Sequence, residues 1–503
     1  MDNQYSPDIE YTNDYYHFMS PAMIDCVALN AGTALPKTNQ GFAYCDMGCG
    51  LGLTSNYLAA THPEGVFYGI DLSEPQIGRA QKFAQEVGLG NAHFLAADVM
   101  ALDPSDFPDF DYIAMHGLYS WVPNTVREGV LKFIGRKLKP GGRVFVSHNV
   151  MPRWHALMPI RDFLLAEAKK SGANSVLEQA QYAMARLRVM VEKKAPFVVA
   201  DHGVLDCANA LLKQDPRYVA HEYLVPYLEP QSFKRVASDF AAIGLHYAGD
   251  SRETLNDYRL CIPAHLHSEI EQEKTSLERE SMKDFLFATT LRRSVFVRLQ
   301  PNRTPDDRNA DDQFWGLTTV SVRGAPEVTF PSGQCRIDHP VYQAIMDRLQ
   351  AAPRTWSDLR SSLSDVPATI LRDALMILFV GQRVSPFRMN SKNATCAAFN
   401  AHQLDSSGRQ ALLLSSSYGG AAPADDVERL YLHARRRGLK DARAIANAMH
   451  REAVRRDWYR ESPLLSTFGS TSTTQLSNQE FAVSKLLRQE DCFRAMGWIE
   501  AGT

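Results

Sequence analysis

Three glycines and three carboxylates carry most of the chemistry legible in this chain. The stretch YCDMGCGLGLTSNYL, residues 44–58, sets Gly48, Gly50 and Gly52 in a G-x-G-x-G run with Asp46 two positions before it. Asp71 closes FYGID and Asp98 closes FLAAD, each at the end of a short apolar run. Glycines between a strand and a helix let the backbone turn sharply and let a ligand approach without Cβ interference. An acid at the second strand end lies beside that turn and can accept both hydroxyls of a ribose. Asp98, one strand further, is placed to accept from an adenine amine. Asp46 would repel a pyrophosphate and compensate a cationic amino or sulfonium group. A dinucleotide site prefers G-x-G-x-x-G, and Leu53 stands where its third glycine belongs. Cys45 reads as a small apolar strand residue, while Cys49, at a helix N-terminus, leaves open a lowered thiol pKa.

These residues need a scaffold that brings strand ends together. Between about residues 42 and 150, FAYCDM, VFYGID, AHFLAAD, FDYIAMHG and RVFVSHN alternate with amphipathic stretches such as EPQIGRAQKFAQEVG and VREGVLKFIGRKL. The alternation predicts βαβ units and a doubly wound, mainly parallel α/β sheet, with KPGG a turn before the fifth strand. Residues 156–215 read as a helical insertion. QSFKRVASDFAAIG predicts an amphipathic helix, LHYAGDS and DYRLCIP strands at the sheet edge, and residues 268–297 one long helix. The Pro- and Asp-rich QPNRTPDDRNADDQF opens a linker or edge segment, 301–335. HPVYQAIMDRLQ, WSDLRSSL and PATILRDALMILFVGQRVSPF predict three short helices leading to a strand, a winged-helix-like unit over 336–400. Residues 401–503 read as helical with a break at STFGSTSTT. The remaining divisions are an N-terminal lid segment (1–38), a cofactor-binding core (39–155) and a region completing the sheet edge (216–300).

Composition narrows the function classes. A chain of 503 residues implies roughly three domains of ~100 to 200 residues. With 54 Lys plus Arg against 57 Asp plus Glu, a net charge of -3 predicts no bulk attraction to nucleic acid or anionic lipid. The arginines of HARRRGLKDARAIANAMHREAVRRDWYR interleave with acids and read as a solvated face. The acidic, polar N-terminus lacks a secretory signal pattern, and no apolar run approaches the ~18 residues of a membrane span, so a cytoplasmic protein is expected. Eight cysteines without CxxC spacing suggest neither a metal site nor a disulfide framework.

In order, YCDMGCGLG, FYGIDLS, FLAADV, FDYIAMHG and LKPGGRVFV resemble the motifs of class I S-adenosylmethionine-dependent methyltransferases over about residues 40–150. RYVAHEYLVPYLEPQSFKRVASDFAAIGLHYAGDS, residues 217–251, resembles a methyltransferase regulatory domain. With HGLYSWV and the winged-helix-like portion, most of the chain is similar to rickettsial-type bacterial protein-lysine methyltransferases of outer-membrane proteins. The resemblance implies a Rossmann-like fold and S-adenosylmethionine as cofactor. It assigns cofactor binding to Asp46, Gly48, Gly50, Gly52, Asp71, Leu72, Asp98, Val99, His116 and Tyr16. The acceptor it implies is a protein, with outer-membrane or envelope proteins as the substrate class; a homodimer is left open.

Methyl transfer from a sulfonium is an in-line displacement, which asks the enzyme to position a deprotonated nucleophile and exclude water. HGLYSWVP, residues 116–123, offers His116, Tyr119 and Trp121: the aromatic faces could hold an ammonium, and His116 could accept a proton or contact the cofactor. The competing reading makes Tyr119 and Trp121 caps of the core. SHNVMPRWH adds His148, Asn149, Trp154 and His155, with Asn149 an acceptor-orienting amide. YTNDYYHFMSP, with Tyr11, Tyr15, Tyr16 and His17, either folds over the cofactor or docks on a core. No D/N/S-P-P-Y run follows the fourth strand, which argues against base-amine and glutamine targets. Two other functions stay open: methylation of a small metabolite enclosed by the insertion, and a cofactor-sensing protein that binds nucleic acid or a partner.

Overall fold

FAYCDM is buried at all six positions, as a strand covered on both faces requires. It forms β1 (Phe42–Met47) at the centre of a seven-stranded sheet of order β3-β2-β1-β4-β5-β7-β6. The other strands are β2 (Gly65–Asp71), β3 (Ala92–Ala96), β4 (Phe110–Met115), β5 (Leu138–Asn149), β6 (His246–Asp250) and β7 (Leu291–Val297). β1 to β5 pair in parallel, and β7 is antiparallel to β5 and β6. Chain order reverses between β1 and β4, which opens a crevice at the carboxyl ends of the strands. In this computed structural model the described residues are 14–33, 41–225, 227–300, 311–318, 327–350, 352–388, 393–405, 411–456, 458, 483–484, 486–487 and 489–499. Tyr11 and the STFGSTSTT break lie outside them.

Helices α1 (Pro21–Asn30), α2 (Leu53–Thr61), α3 (Glu74–Val87) and α4 (Asn124–Lys137) accompany the sheet. The insertion contains α5 (Arg153–Lys170), α6 (Val176–Glu192), α7 (Pro196–Ala200) and α8 (His202–Leu211), followed by α9 (Pro216–Tyr223). Trp154, Leu164, Met184, Leu187, Val219 and Tyr223 form their shared core. α10 (Phe233–Ala241) then leads into β6.

Three local expectations are corrected. KPGG does not separate helix from strand: β5 already begins at Leu138, and the excursion is absorbed where the register against β4 jumps from Phe110↔Leu138 to Tyr112↔Arg143. DYRLCIP is not a strand but contains a short helix, Tyr258–Cys261, started by Asp257, whose side chain accepts the Arg259 N–H. Residues 268–297 are not one helix. A capping box at Thr275 starts the helix Ser276–Phe287, Ala288 ends it in the left-handed region at φ 52°, and LRRSVFV becomes β7. Edge pairing on both sides of β7 outweighs a helix-like composition.

The C-terminal helices Pro340–Gln350, Trp356–Ser362 and Ala368–Val380 surround a three-stranded sheet in which Phe314–Leu317 lies between Arg354–Thr355 and Val384–Phe387. Phe314–Leu317 falls inside the segment read as a linker, yet Trp315 and Leu317 share a core with Met23 and Cys26 of α1. Among the described residues, no helix is long and apolar enough to cross a membrane.

Beneath the sheet, Arg143 of β5 is fully buried and its Nε lies 2.7 Å from Asp25 Oδ1 of α1. The Tyr112 hydroxyl donates to the other Asp25 oxygen at 2.9 Å. Burial raises the Asp25 carboxyl and the Arg143 charge opposes the shift. Removing one member of such a pair strands the other charge in low dielectric. Asp25→Ala is therefore expected to destabilise the protein by about 3 kcal/mol, read as a lower urea midpoint, whereas Tyr112→Phe should cost about 1 kcal/mol.

Candidate active site

The crevice floor is the turn from β1 into α2. Gly48, Gly50 and Gly52 hold φ of 77°, 55° and 66°, values that disfavour any side chain. A Cβ on Gly52 would stand 2.6 Å from Ala80 Cβ and 2.7 Å from Phe94 Cε1, so this glycine also serves packing. At Gly48 a Cβ would meet only the Leu118 side chain, at 3.5 Å. At Gly48, then, the positive φ and not crowding calls for glycine.

Three carboxylates surround the turn. Asp71, at the end of β2, accepts the Gly50 N–H at 2.9 Å with one oxygen and the Ser73 N–H at 2.9 Å with the other. Leu72 beside it is 58% exposed, an apolar face set outside the core. Asp98 accepts the Met100 N–H at 2.9 Å and begins the short turn Val99–Ala101. Asp46 is buried and accepts the Ser55 hydroxyl at 2.6 Å. Burial, with a smaller contribution from Asp71, raises the Asp46 carboxyl to about 7 although the Ser55 bond pulls the other way. Burial pushes the Cys49 thiol up as well, assisted by Asp46 and Asp71, so the helix-start argument for a reactive thiol is overturned. Among the described residues, no group of three His, Cys, Asp or Glu side chains is arranged for a metal.

His116, at the end of β4, forms one wall. Tyr16 meets its ring edge-on at 4.4 Å between centroids and Phe18 at 5.2 Å. The Tyr16 N–H donates to Thr54 Oγ1 in the first turn of α2. The neighbours in this segment face elsewhere: His17 stacks on Tyr418 at 3.9 Å, and the Tyr15 hydroxyl lies 3.0 Å from His17 Nδ1. Alternate residues thus tie the wall at His116 to the C-terminal hairpin Ala411–Ser415/Gly420–Ala424.

The other residues expected to handle the acceptor are dispersed. Tyr119 is 1% exposed and turned into the core: its hydroxyl donates to Asp239 of α10 at 2.9 Å and its ring packs on Phe240. Its face lies toward Arg127, whose guanidinium carbon is 5.9 Å from the ring centroid. The expectation that Tyr119 holds an ammonium is withdrawn; it anchors the loop after β4. Trp121 packs against the insertion core. Asn149 lies 6% exposed at the end of β5, its N–H donating to Ser120 Oγ. His148 is core, lowered to about 3 by burial, Trp154 is buried in the insertion, and His155 is exposed. Ser55, Thr54, Phe18 and Ser147 escaped sequence reading; only Phe18, inside the aromatic run YYHF, left a signal there.

Residues 45–142 match the family model described as a methyltransferase domain, and residues 215–298 match a predicted methyltransferase regulatory domain. The chain carries an S-adenosylmethionine-dependent methyltransferase domain. An uncharacterized protein of Synechocystis sp. is 27% identical over 447 residues, covering 86% of this chain and 88% of the relative. An uncharacterized protein of Rickettsia prowazekii is 26% identical over 306 residues, 60% of this chain and 54% of the relative. Trans-aconitate 2-methyltransferase of Methylobacterium nodulans is 30% identical over 132 residues, 24% of this chain and 48% of that enzyme. The solved structure of PKMT2 from Rickettsia typhi, known also in complex with AdoHcy, superposes with a TM-score of 0.69 at 18% identity, covering 97% of this chain and 99% of that one. This similarity extends the shared fold through the C-terminal unit.

The methyltransferase cofactor carries a sulfonium and an ammonium, and positive charge beside Asp46 favours its ionised form. Binding then releases a proton below about pH 7, so cofactor affinity is expected to rise as pH is raised through that value. Calorimetric titration across the range should show this slope in the native chain and its loss in Asp46→Asn. Asp71→Ala removes the acceptor of the Gly50 N–H and the carboxylate expected to meet the ribose; a cofactor Kd weakened at least about tenfold in a folded variant is the expected titration result.

Proposed function

We propose that the chain transfers a methyl group from S-adenosylmethionine to the Nζ of lysine in a protein substrate. The observation that carries this reading is the shared architecture with PKMT2 over 97% of the chain, insertion and C-terminal unit included. The cleft wall supports it. Tyr16 packs against His116 with ring centroids 4.4 Å apart, and α9 of the regulatory region carries Tyr218 and Glu222 one turn apart, both within electrostatic reach of the Tyr16 hydroxyl. Aromatic faces with a carboxylate attract an ammonium or a methylammonium. The trans-aconitate 2-methyltransferase relative matches only 24% of this chain, against 97% for PKMT2.

The cofactor supplies an activated methyl on a sulfonium. The backbone of the glycine turn, with Asp71 and Asp98, would hold its adenosine; Asp46 would balance its positive charge. Residues 39–155 act in this reading as the catalytic core, 156–215 as a wall on the acceptor side and 216–300 as the region that completes the sheet. Tyr16 and Phe18 cover the reacting atoms and exclude water. The acceptor is a cell-envelope protein modified in the cytoplasm.

The test is incubation of the full chain with methyl-labelled cofactor, in parallel with envelope proteins and with a protein-free metabolite extract. Label is expected on lysine residues in the first arm, identified by mass spectrometry of the peptides, and reduced about tenfold or more by Glu222→Gln. Label confined to the metabolite arm would overturn the reading.

A further inference from the structure

Ser147, in β5, is a buried hydroxyl whose hydrogen bonds bear on His116. It is 2% exposed. Its Oγ accepts the Gly117 N–H at 2.9 Å and lies 2.8 Å from His116 Nδ1. A serine hydroxyl has one proton to give. With the Gly117 N–H already pointed at the oxygen, the acceptor within reach of that proton among the described residues is His116 Nδ1. Were Nδ1 protonated, Ser147 would accept twice and its own proton would be buried without a partner. That cost disfavours the arrangement by on the order of ten- to a hundredfold.

We propose that Ser147 is a positioning residue that donates to Nδ1 and holds His116 as the Nε2–H tautomer, so that the ring presents a hydrogen-bond donor, not a base, to the cleft. His116 is half-buried, so part of the ring remains exposed. The groups facing the ring are Tyr16, Phe18 and Phe145, with Arg293, whose guanidinium lies 3.9 Å over Phe18, as the nearby charge. Burial first and Arg293 second lower the imidazole to about 4, so it is neutral at physiological pH. A neutral ring already protonated at Nε2 takes no proton from an entering ammonium.

The consequence for the reaction rests on the lysine reading. The lysine ammonium gives its first proton to solvent hydroxide before attack. The amine lone pair then forms the N–C bond as the C–S pair returns to sulfur, and the second proton leaves to water afterwards. His116 orients an oxygen of the bound ligands through its N–H.

The test begins without any acceptor. In the full chain labelled with ¹⁵N-histidine, long-range ¹H–¹⁵N correlation at pH 7 should show His116, assigned by its loss in His116→Gln, with the Nε2–H pattern. Ser147→Ala should mix the tautomers and lower kcat/KM about fivefold, the value of one ordinary hydrogen bond, while Ser147→Thr restores both. An Nδ1–H pattern in the native chain, or a pattern unmoved by Ser147→Ala, overturns the proposal. If Ser147→Ala does not fold, the native spectrum alone decides. With a lysine-containing acceptor, kcat/KM should climb about tenfold per pH unit toward the lysine pKa of ~10.4. A break near pH 6 to 7 that disappears in His116→Gln would also overturn it. Failure of the lysine reading removes the second arm and leaves the spectroscopic one intact.

Discussion

The hydrogen bond from the Gly50 N–H to Asp71, 2.9 Å long, is the constraint on which the cofactor side depends. It joins the turn after β1 to the end of β2, and the same carboxylate accepts the Ser73 N–H at the start of α3. One side chain thereby sets the relation of two strand-to-helix turns. Behind them Asp46 and Ser55 form a second, buried tie between β1 and α2. A carboxylate held there in low dielectric is poised between charge states and responds to a cation that approaches it. The turn takes its three glycines at positive φ, a conformation side chains disfavour, and at Gly52 a Cβ would also collide with Ala80 and Phe94.

The surroundings of His116 are assembled from distant parts of the chain. Residues 15 to 18 alternate between two partners: Tyr15 and His17 dock on the C-terminal unit, Tyr16 and Phe18 on His116. The C-terminal unit also holds α2 directly, through Asn393 Nδ2 donating to Ala60 O at 2.7 Å and the edge-on contact of Phe399 with Tyr57. The helix that begins at the glycine turn is therefore clasped from outside by residues more than three hundred positions away. On the other flank, Tyr119 and Asp239 bind the loop after β4, and Arg127 and Glu229 at 2.6 Å bind α4, to the regulatory region. Catalytic core, regulatory region and C-terminal unit share one set of contacts around the crevice.

Much of the core was legible because each of its elements announces itself locally. FAYCDM, FYGID and FLAAD are short apolar runs that end at or beside an acid, and that order alone places three carboxylates along one sheet edge. The failures have equally specific causes. LRRSVFV follows a strongly helical stretch, and its strand character comes from pairing with β5 on one side and β6 on the other. KPGG looks like a turn before a strand but lies within β5, where the register against β4 shifts. Phe314–Leu317 sits in polar, Pro-rich surroundings, and only its two strand partners, some forty and seventy residues away, make it part of a sheet.

The sequence by itself determined the doubly wound core, the glycine turn and the identity of the methyl donor, since these depend on residues close in the chain and on strand ends whose order is read directly. Only the tertiary structure decided which aromatic residues gather at His116 and which turn into the core. Tyr119 and Tyr16 are equally suitable by type. The first is drawn into the core by Asp239, a hydrogen-bond partner 120 positions away, and the second is brought to His116 by its backbone bond to Thr54 and the packing of its neighbours on the C-terminal hairpin. A side chain's direction is set by the element it packs against, and that element is fixed by the fold, not by local spacing.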